Sequence, residues 1–335
     1  MSAVSLQKIL VIQTAFIGDA ILASGVLEKL HQHHPNARID FLVRKGNESL
    51  YAGHPFINTL LVWNKKEGKY KHLWQLLKTI RNTKYDMVIN LQRFAASGFL
   101  TAFSGGKQTV GFSKNPLSFL FTQRIPHQYQ RHEIERNHAL VQDITDTTPA
   151  RPKLYPTNAD YNFVSSYKNE KYICIAPASV WFTKQFPQEK WVEFLNAIPS
   201  PISVYVLGGP GDNELCGEIV KQVNNPALSI HILAGKLSLL QTTALMRDAV
   251  MNYTNDSAPL HLASSVNAPS RAMFCSTVPS FGFGPLSDNS AIIETDLALD
   301  CRPCGLHGHK ACPKGHFKCA LSIDVLKMVA ALQPS

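Results

Sequence analysis

The stretch LVIQTAFIGDAILASGVLEKL, residues 10–30, passes from one periodicity into another. Ile9 to Ile12 are continuously apolar, as in a strand buried on both faces of a parallel sheet. From Ala20 onward, Ile21, Leu22, Val26, Leu27 and Leu30 recur at helical spacing. Between strand and helix stand Gly18 and Asp19. In an open α/β sheet such a turn borders the crevice beyond the carboxyl ends of the strands, where ligands bind. Asp19 has two readings here: a carboxylate that suits a helix N-terminus, or one that faces a ligand.

The same alternation continues outward. RIDFLVR (38–44), TLLVW (59–63), YDMVINLQ (85–92) and QTVGF (108–112) read as strands, and Tyr70 to Arg81 reads as a helix with Leu73, Leu76, Leu77 and Ile80 on one face. From Asp146 to Asn162 the periodicity lapses in a segment with three prolines, which reads as an interdomain linker. A second alternation follows in YICIAPAS (172–179), SVYVLGG (203–209), SIHILAG (229–235), AVMNYTNDS (249–257) and SRAMFCS (270–276). The fold class is therefore α/β, with two Rossmann-like doubly wound domains, 1–155 and 156–322, and a closing segment 323–335.

A chain of 335 residues, 45% hydrophobic and 17% charged, has ample material for two cores. Its 33 basic and 24 acidic side chains leave a net charge of +9, which favours an anionic partner: a nucleotide, a phosphorylated glycolipid, nucleic acid or a membrane surface. The basic residues are scattered rather than striped, which argues against nucleic acid. No apolar run approaches the roughly 18 residues of a membrane span, and the N-terminus lacks the pattern of an export signal. Cytoplasm is the expected compartment. NPLSFLFTQRIPH (115–127) mixes large apolar residues with Arg124 and reads as a buried amphipathic segment rather than a membrane-surface one.

Four strand-to-helix junctions of the second half carry candidate chemistry. APASVWFTKQFPQEKW (176–191) sets Ser179 and Thr183 before Lys184, a combination that suits a phosphate. VLGGPGDNE (206–214) offers Gly209 for close backbone approach and Glu214 for ribose hydroxyls, without the dinucleotide glycine fingerprint. In YTNDSAPLHLASS (253–265), Asp256 and Ser257 precede a helix, and the N–H groups of Ser257, Ala258 and Leu260 are placed to meet a diphosphate. An ordinary Asp N-cap is the plainer alternative for Asp256.

Taken in order, Gly18-Asp19, Ser/Thr then Lys184, Gly-Gly-Pro, LAGKLSLLQTTALMRDAV (233–250) and Asn-Asp-Ser-x-Pro-x-His resemble glycosyltransferase family 9, the bacterial heptosyltransferases. HEIERN (132–137) and CRPCGLHGHKACPKGHFKC (301–319) support the match, the latter closer to the heptosyltransferase II branch. The resemblance implies a GT-B fold, two Rossmann-like domains facing across a cleft, with the C-terminal helix crossing back to the first. It implies inverting, metal-independent transfer of heptose from an ADP-activated donor to the lipid-linked inner core of lipopolysaccharide, by a monomer at the inner face of the cytoplasmic membrane. Asp19 would be the general base, Lys184 the phosphate-binding cation, Asp256 a donor-binding acid and His261 a companion on its helix. Ala258 departs from the glycine common in the family. Arg93, Lys107, Lys114 and Arg124 are candidates for the acidic acceptor. Rival readings are a GT-B transferase using UDP- or GDP-sugar, and a degenerate nucleotide- or glycan-binding relative.

Cys301, Cys304, Cys312 and Cys319 follow a C-x2-C-x7-C-x6-C pattern. Four thiolates so spaced suit a structural zinc; reduced packing cysteines and disulfides are the other readings.

Overall fold

The computed structural model describes residues 6–332. The chain divides into two compact units, the first ending at Tyr155 and the second beginning at Pro156. In the first, strands β1 (Lys8–Gln13), β2 (Arg38–Arg44), β3 (Ile57–Trp63), β4 (Met87–Asn90), β5 (Gln108–Phe112) and β6 (Gln123–Ile125) form one sheet in the order 3-2-1-4-5-6. Every pairing is parallel. Helices α1 (Ile17–His33), α2 (Lys69–Thr83), α3 (Ala95–Ala102) and α4 (Glu133–His138) complete this unit.

The second unit repeats the plan. After α5 (Asn158–Phe163) come β7 (Tyr172–Ala176), α6 (Gln188–Asn196), β8 (Ile202–Val206), α7 (Asn213–Gln222), β9 (Leu228–Ile232), α8 (Leu239–Arg247), β10 (Met251–Asn255), α9 (Ala258–Ser265), β11 (Ser270–Phe274) and β12 (Ser290–Glu294). Its sheet runs 12-11-10-7-8-9, all parallel, which is the first sheet's order read from the other end. Strand order thus reverses between β1 and β4 in one sheet and between β7 and β10 in the other, and the crevices lie there.

Local sequence explains the elements that frame those crevices. Ile9 to Ile12 are wholly buried, and so are Ile21, Leu22, Leu27 and Leu30 of α1. Burying each such side chain contributes about 1.5–3 kcal/mol, so β1 and α1 are locked by the pattern that predicts them. Short edge strands β6 and β12 fall outside the predicted set. β6 is only Gln-Arg-Ile, and in β12 only Ile293 is buried.

The proline-rich segment is packed on its own unit rather than loose. Asp146 meets Lys29 at 2.7 Å, Lys153 N–H donates to Ser24 Oγ, and Tyr155 Oη donates to Glu28. A Cβ at Gly25 would stand 2.5 Å from the Ala150 carbonyl oxygen, so only glycine admits this approach. After β12, short helices α10 (Lys318–Leu321) and α11 (Leu326–Val329) bury Ile323, Val325 and Met328 in the second unit's core, and Tyr253 Oη donates to the Met328 carbonyl. Residues 333–335 of the closing segment lie outside the described residues. No helix of the described residues is long and apolar enough to cross a membrane.

Candidate active site

Asp19 sits in the first turn of α1, directly beyond β1 at the first sheet's switch point. The N-cap is Phe16, which makes no side-chain cap bond, so Asp19 is not the capping residue. Its half-buried carboxylate complements the helix N-terminus from inside the first turn. Below it, Gln92 Nε2 donates to Gln13 Oε1 at 2.5 Å, and Thr14 Oγ1 donates to Gln92 Oε1 at 2.9 Å. Lys65 Nζ donates to the Thr14 carbonyl and Asn47 Nδ2 to that of Ala15. These bonds fix the loop that delivers Asp19.

A second carboxylate shares this place. Glu133 opens α4, whose start is set by a capping box between His132 and Glu135. Glu133 is buried, and Arg136 Nη1 donates to it at 2.8 Å. Burial, and then the negative charge of Asp19, push the Glu133 carboxyl up to about 7, against the pull of Arg136 and Arg93. Arg136 Nε and Nη2 donate to the carbonyls of Gln128 and Tyr129. Glu133 and Arg136 were not singled out from the sequence, although HEIERN contains both; the capping box was the available signal.

Two of the four acceptor candidates join this group. Arg93 Nη1 donates to Tyr129 Oη at 2.8 Å, and Lys114 Nζ lies 4.1 Å from the Tyr129 ring centroid. Hydrogen bonding to Lys114 and the nearby cations lower the Tyr129 phenol pKa, against a smaller burial effect. Burial, followed by the charges of Arg93, Arg136 and Lys114, pushes the His127 imidazole down to about 4. Lys107 must be corrected. It precedes β5 and pairs with Asp86, which precedes β4. In a parallel sheet both therefore stand at the end opposite Asp19. Arg124 is exposed on edge strand β6. NPLSFLFTQRIPH also departs from expectation: Phe121 is buried, whereas Phe119 and Leu120 are exposed.

In the second unit the structure brings Lys184 and Asp256 together at the switch point between β7 and β10. Lys184 Nζ lies 2.7 Å from Asp256 Oδ2, with side chains only 16% and 7% exposed. Thr277 Oγ1 donates to the same oxygen at 2.7 Å. Asn255 joins the loops that carry them: its Oδ1 accepts from Phe186 N–H and its Nδ2 donates to the Pro177 carbonyl. The Asp256 carboxylate is thus neutralised within its own unit by Lys184.

Ser257 stands at the N-cap position of α9 without a side-chain cap bond, with Ala258 and Pro259 in the first turn. Leu260 N–H already donates to the Ser257 carbonyl, so the expected third donor is engaged within the turn. His261 is buried on α9, its ring 6.4 Å from that of Phe283. Thr183 must be corrected as a donor ligand. It is 1% exposed, and its Oγ1 accepts from His309 N–H at 2.7 Å and from Ser276 Oγ at 3.0 Å. Gly209 N–H is held by Asp212 Oδ2 at 2.7 Å, and Glu214 is exposed in the first turn of α7. Ser179 is half-buried, and its carbonyl accepts from Gln185.

The cysteine loop braces this site. Gly308 has φ +76°, and a Cβ there would stand 2.9 Å from Thr183 Oγ1 and 3.1 Å from Lys184 Cγ. Arg302 donates to the carbonyls of Phe274, Cys275 and Thr277 and pairs with Glu294. All seven cysteines are free thiols, which sets the disulfide reading aside. Cys319 is pushed up to about 11, first by burial and then by Cys312, with further upward pushes from Cys301 and Cys304; these four therefore share one neighbourhood. Cys301 Sγ lies 3.8 Å from His316 Nε2. Among the described residues, no three His, Cys, Asp or Glu side chains are grouped to hold a metal ion.

Comparison with known proteins adds to this geometry. The sequence model of glycosyltransferase family 9 (heptosyltransferase) matches residues 73–312. Lipopolysaccharide core heptosyltransferase OpsX of Haemophilus influenzae is 26% identical over 273 residues, covering 78% of this chain and 77% of its own. Two solved structures share the fold. A family 9 glycosyltransferase from Veillonella parvula superposes with TM-score 0.78 at 24% identity over 88% of each chain. ADP-heptose lipopolysaccharide heptosyltransferase II of E. coli gives 0.80 at 20% identity over 97% of each.

Proposed function

The chain belongs to glycosyltransferase family 9, and from that premise we propose that it transfers heptose from ADP-heptose to the inner core of lipopolysaccharide with inversion at the anomeric carbon. The OpsX match and the heptosyltransferase II likeness support the sugar and the acceptor. What carries the mechanism is the pair of switch points: a first-turn carboxylate in one unit and a buried Lys–Asp pair in the other.

Asp19 accepts the proton of the acceptor hydroxyl as that oxygen attacks the sugar, a step worth roughly 10²–10⁴ in rate. Glu133 beside it is a second acid, its own carboxyl raised by burial and by the charge of Asp19. Lys184 holds the diphosphate and stabilises the charge that develops on the departing ADP. The N–H groups of Ser257 and Ala258 at the start of α9 assist. Asp256 orients Lys184 and grips donor hydroxyls once the ammonium turns to phosphate. Arg93 and Lys114 meet the acidic groups of the acceptor. The protein works as a monomer at the cytoplasmic face of the membrane.

Calorimetric titration with ADP, UDP and GDP, followed by a transfer assay, tests this. Selective ADP binding that weakens in Lys184→Ala is the expected result. Preference for UDP or GDP would overturn the heptose donor while leaving a GT-B transferase. No nucleotide binding by a folded sample would return the chain to a degenerate binding role.

A further inference from the structure

Helix α2 carries Lys69, Lys71, Lys78 and Arg81 and not one acidic residue. Leu73, Leu76, Leu77 and Ile80 fasten it to the core. On its outer flank, Tyr70, Trp74, Lys78 and Arg81 recur at spacings of four, four and three, which places them in one stripe. Tyr70 is 71% and Trp74 62% exposed. The stripe continues onto α3: the Trp74 ring packs edge-on against Phe99 at 5.4 Å, Phe99 lies 5.1 Å from Phe103, and Arg81 Nη1 donates to the Phe103 carbonyl. On the other side of α3, the turn Ser118–Leu120 exposes Phe119 and Leu120.

Large aromatics in solvent, on a helix whose only charged residues are cations, are costly to a protein that buries nothing there. Tyr and Trp favour the lipid headgroup level, and Lys and Arg reach from such a surface to anionic headgroups. We propose that the α2–α3 face is a docking surface for an anionic bilayer. The cations decide between occupants. A second copy seated on the same patch about a two-fold axis would set four cations of α2 against four identical ones, which disfavours a dimer. An anionic bilayer complements them all at once.

Position in the fold adds a reason. Helix α2 follows β3, and its Lys69 is close enough to lower the Lys65 ammonium pKa, as Arg44 also does, after the main effect of burial. Lys65 in turn bonds the Thr14 carbonyl of the loop that delivers Asp19. The face therefore begins beside the edge of the sheet that carries Asp19. The surface depends on the functional reading above only for its purpose, holding the enzyme where a lipid-linked acceptor is found.

Flotation of the full chain with phosphatidylglycerol vesicles and with phosphatidylcholine vesicles tests this, with ADP titration on the same sample. Expected is co-flotation with phosphatidylglycerol only, lost at high salt. In Lys71→Gln/Lys78→Gln, two exposed changes that leave the core intact, partitioning should fall by about twenty-fold or more, at about 1 kcal/mol per surface cation. Trp74→Ser should weaken it further with ADP binding unchanged. Equal binding to both vesicles, no binding by a sample that binds ADP, or a dimer that Trp74→Ser dissolves would each overturn the proposal. Vesicle binding without ADP binding would instead uphold the surface and remove the transferase reading.

Discussion

Asp19 and Asp256 each stand at the switch point of a sheet with the same strand order, yet their surroundings differ. Asp19 follows β1, and its influence reaches Glu133, a second carboxyl that burial and then the charge of Asp19 raise to about 7. Asp256 follows β10 and is clasped by Lys184 and Thr277. One carboxylate has a second acid for a neighbour, whereas the other is paired with an ammonium. Topology assigns the place, and the side chains packed around it assign the task.

Removing each group should separate those tasks. Asp19→Ala is expected to lower turnover by roughly two to four orders of magnitude with ADP affinity little changed; near-full activity would leave Asp19 as a helix-terminus charge only. Lys184→Ala strands a buried carboxylate and should cost about 3–5 kcal/mol in urea unfolding as well as ADP affinity. Adding Asp256→Asn should recover part of that stability but not the affinity. If the double variant recovers both, Lys184 serves the fold and not the donor.

Smaller effects sharpen the contrast. Gly308→Ala forces a methyl against Thr183 and Lys184 in a left-handed backbone, and should destabilise by about 1–3 kcal/mol while weakening ADP binding. The corresponding change in the first unit, Gly25→Ala, should destabilise similarly and leave ADP binding alone. Glu133→Gln is the subtlest. A carboxyl raised to about 7 in the fold holds protons that the unfolded chain releases, so its contribution to stability is present below about pH 4.5 and falls as pH rises toward 7. The variant should remove that fall, read as a smaller difference between urea midpoints at pH 5 and pH 8. A pH dependence identical to that of the parent would show that Glu133 is ionised throughout.

Much of this was legible in the residues. Continuous apolar runs gave the central strands of both sheets, and Gly18-Asp19 and Asn255-Asp256 fell at the ends of β1 and β10 where the crevices are. Edge strands β6 and β12 escaped because β6 is only three residues long and β12 holds a single buried residue. Glu133 escaped because its burial comes from α4 packing on α1, more than a hundred residues earlier in the chain. Thr183 was misread because the loop that claims its hydroxyl arrives from His309. Lys107 is different: it stands before QTVGF, and in a parallel sheet a residue before its strand lies at the far end from the crevice. That error was avoidable from sequence alone.

The Lys184–Asp256 pair has one further consequence. A diphosphate that takes the ammonium displaces an anion the protein already owns, so binding is an internal ion exchange rather than the capture of a cation bathed in solution ions. Fewer counterions are then freed to the solvent. Nucleotide affinity should decline only gently as salt is raised, and should become steeper in Asp256→Asn, where solution anions take the place of the lost carboxylate.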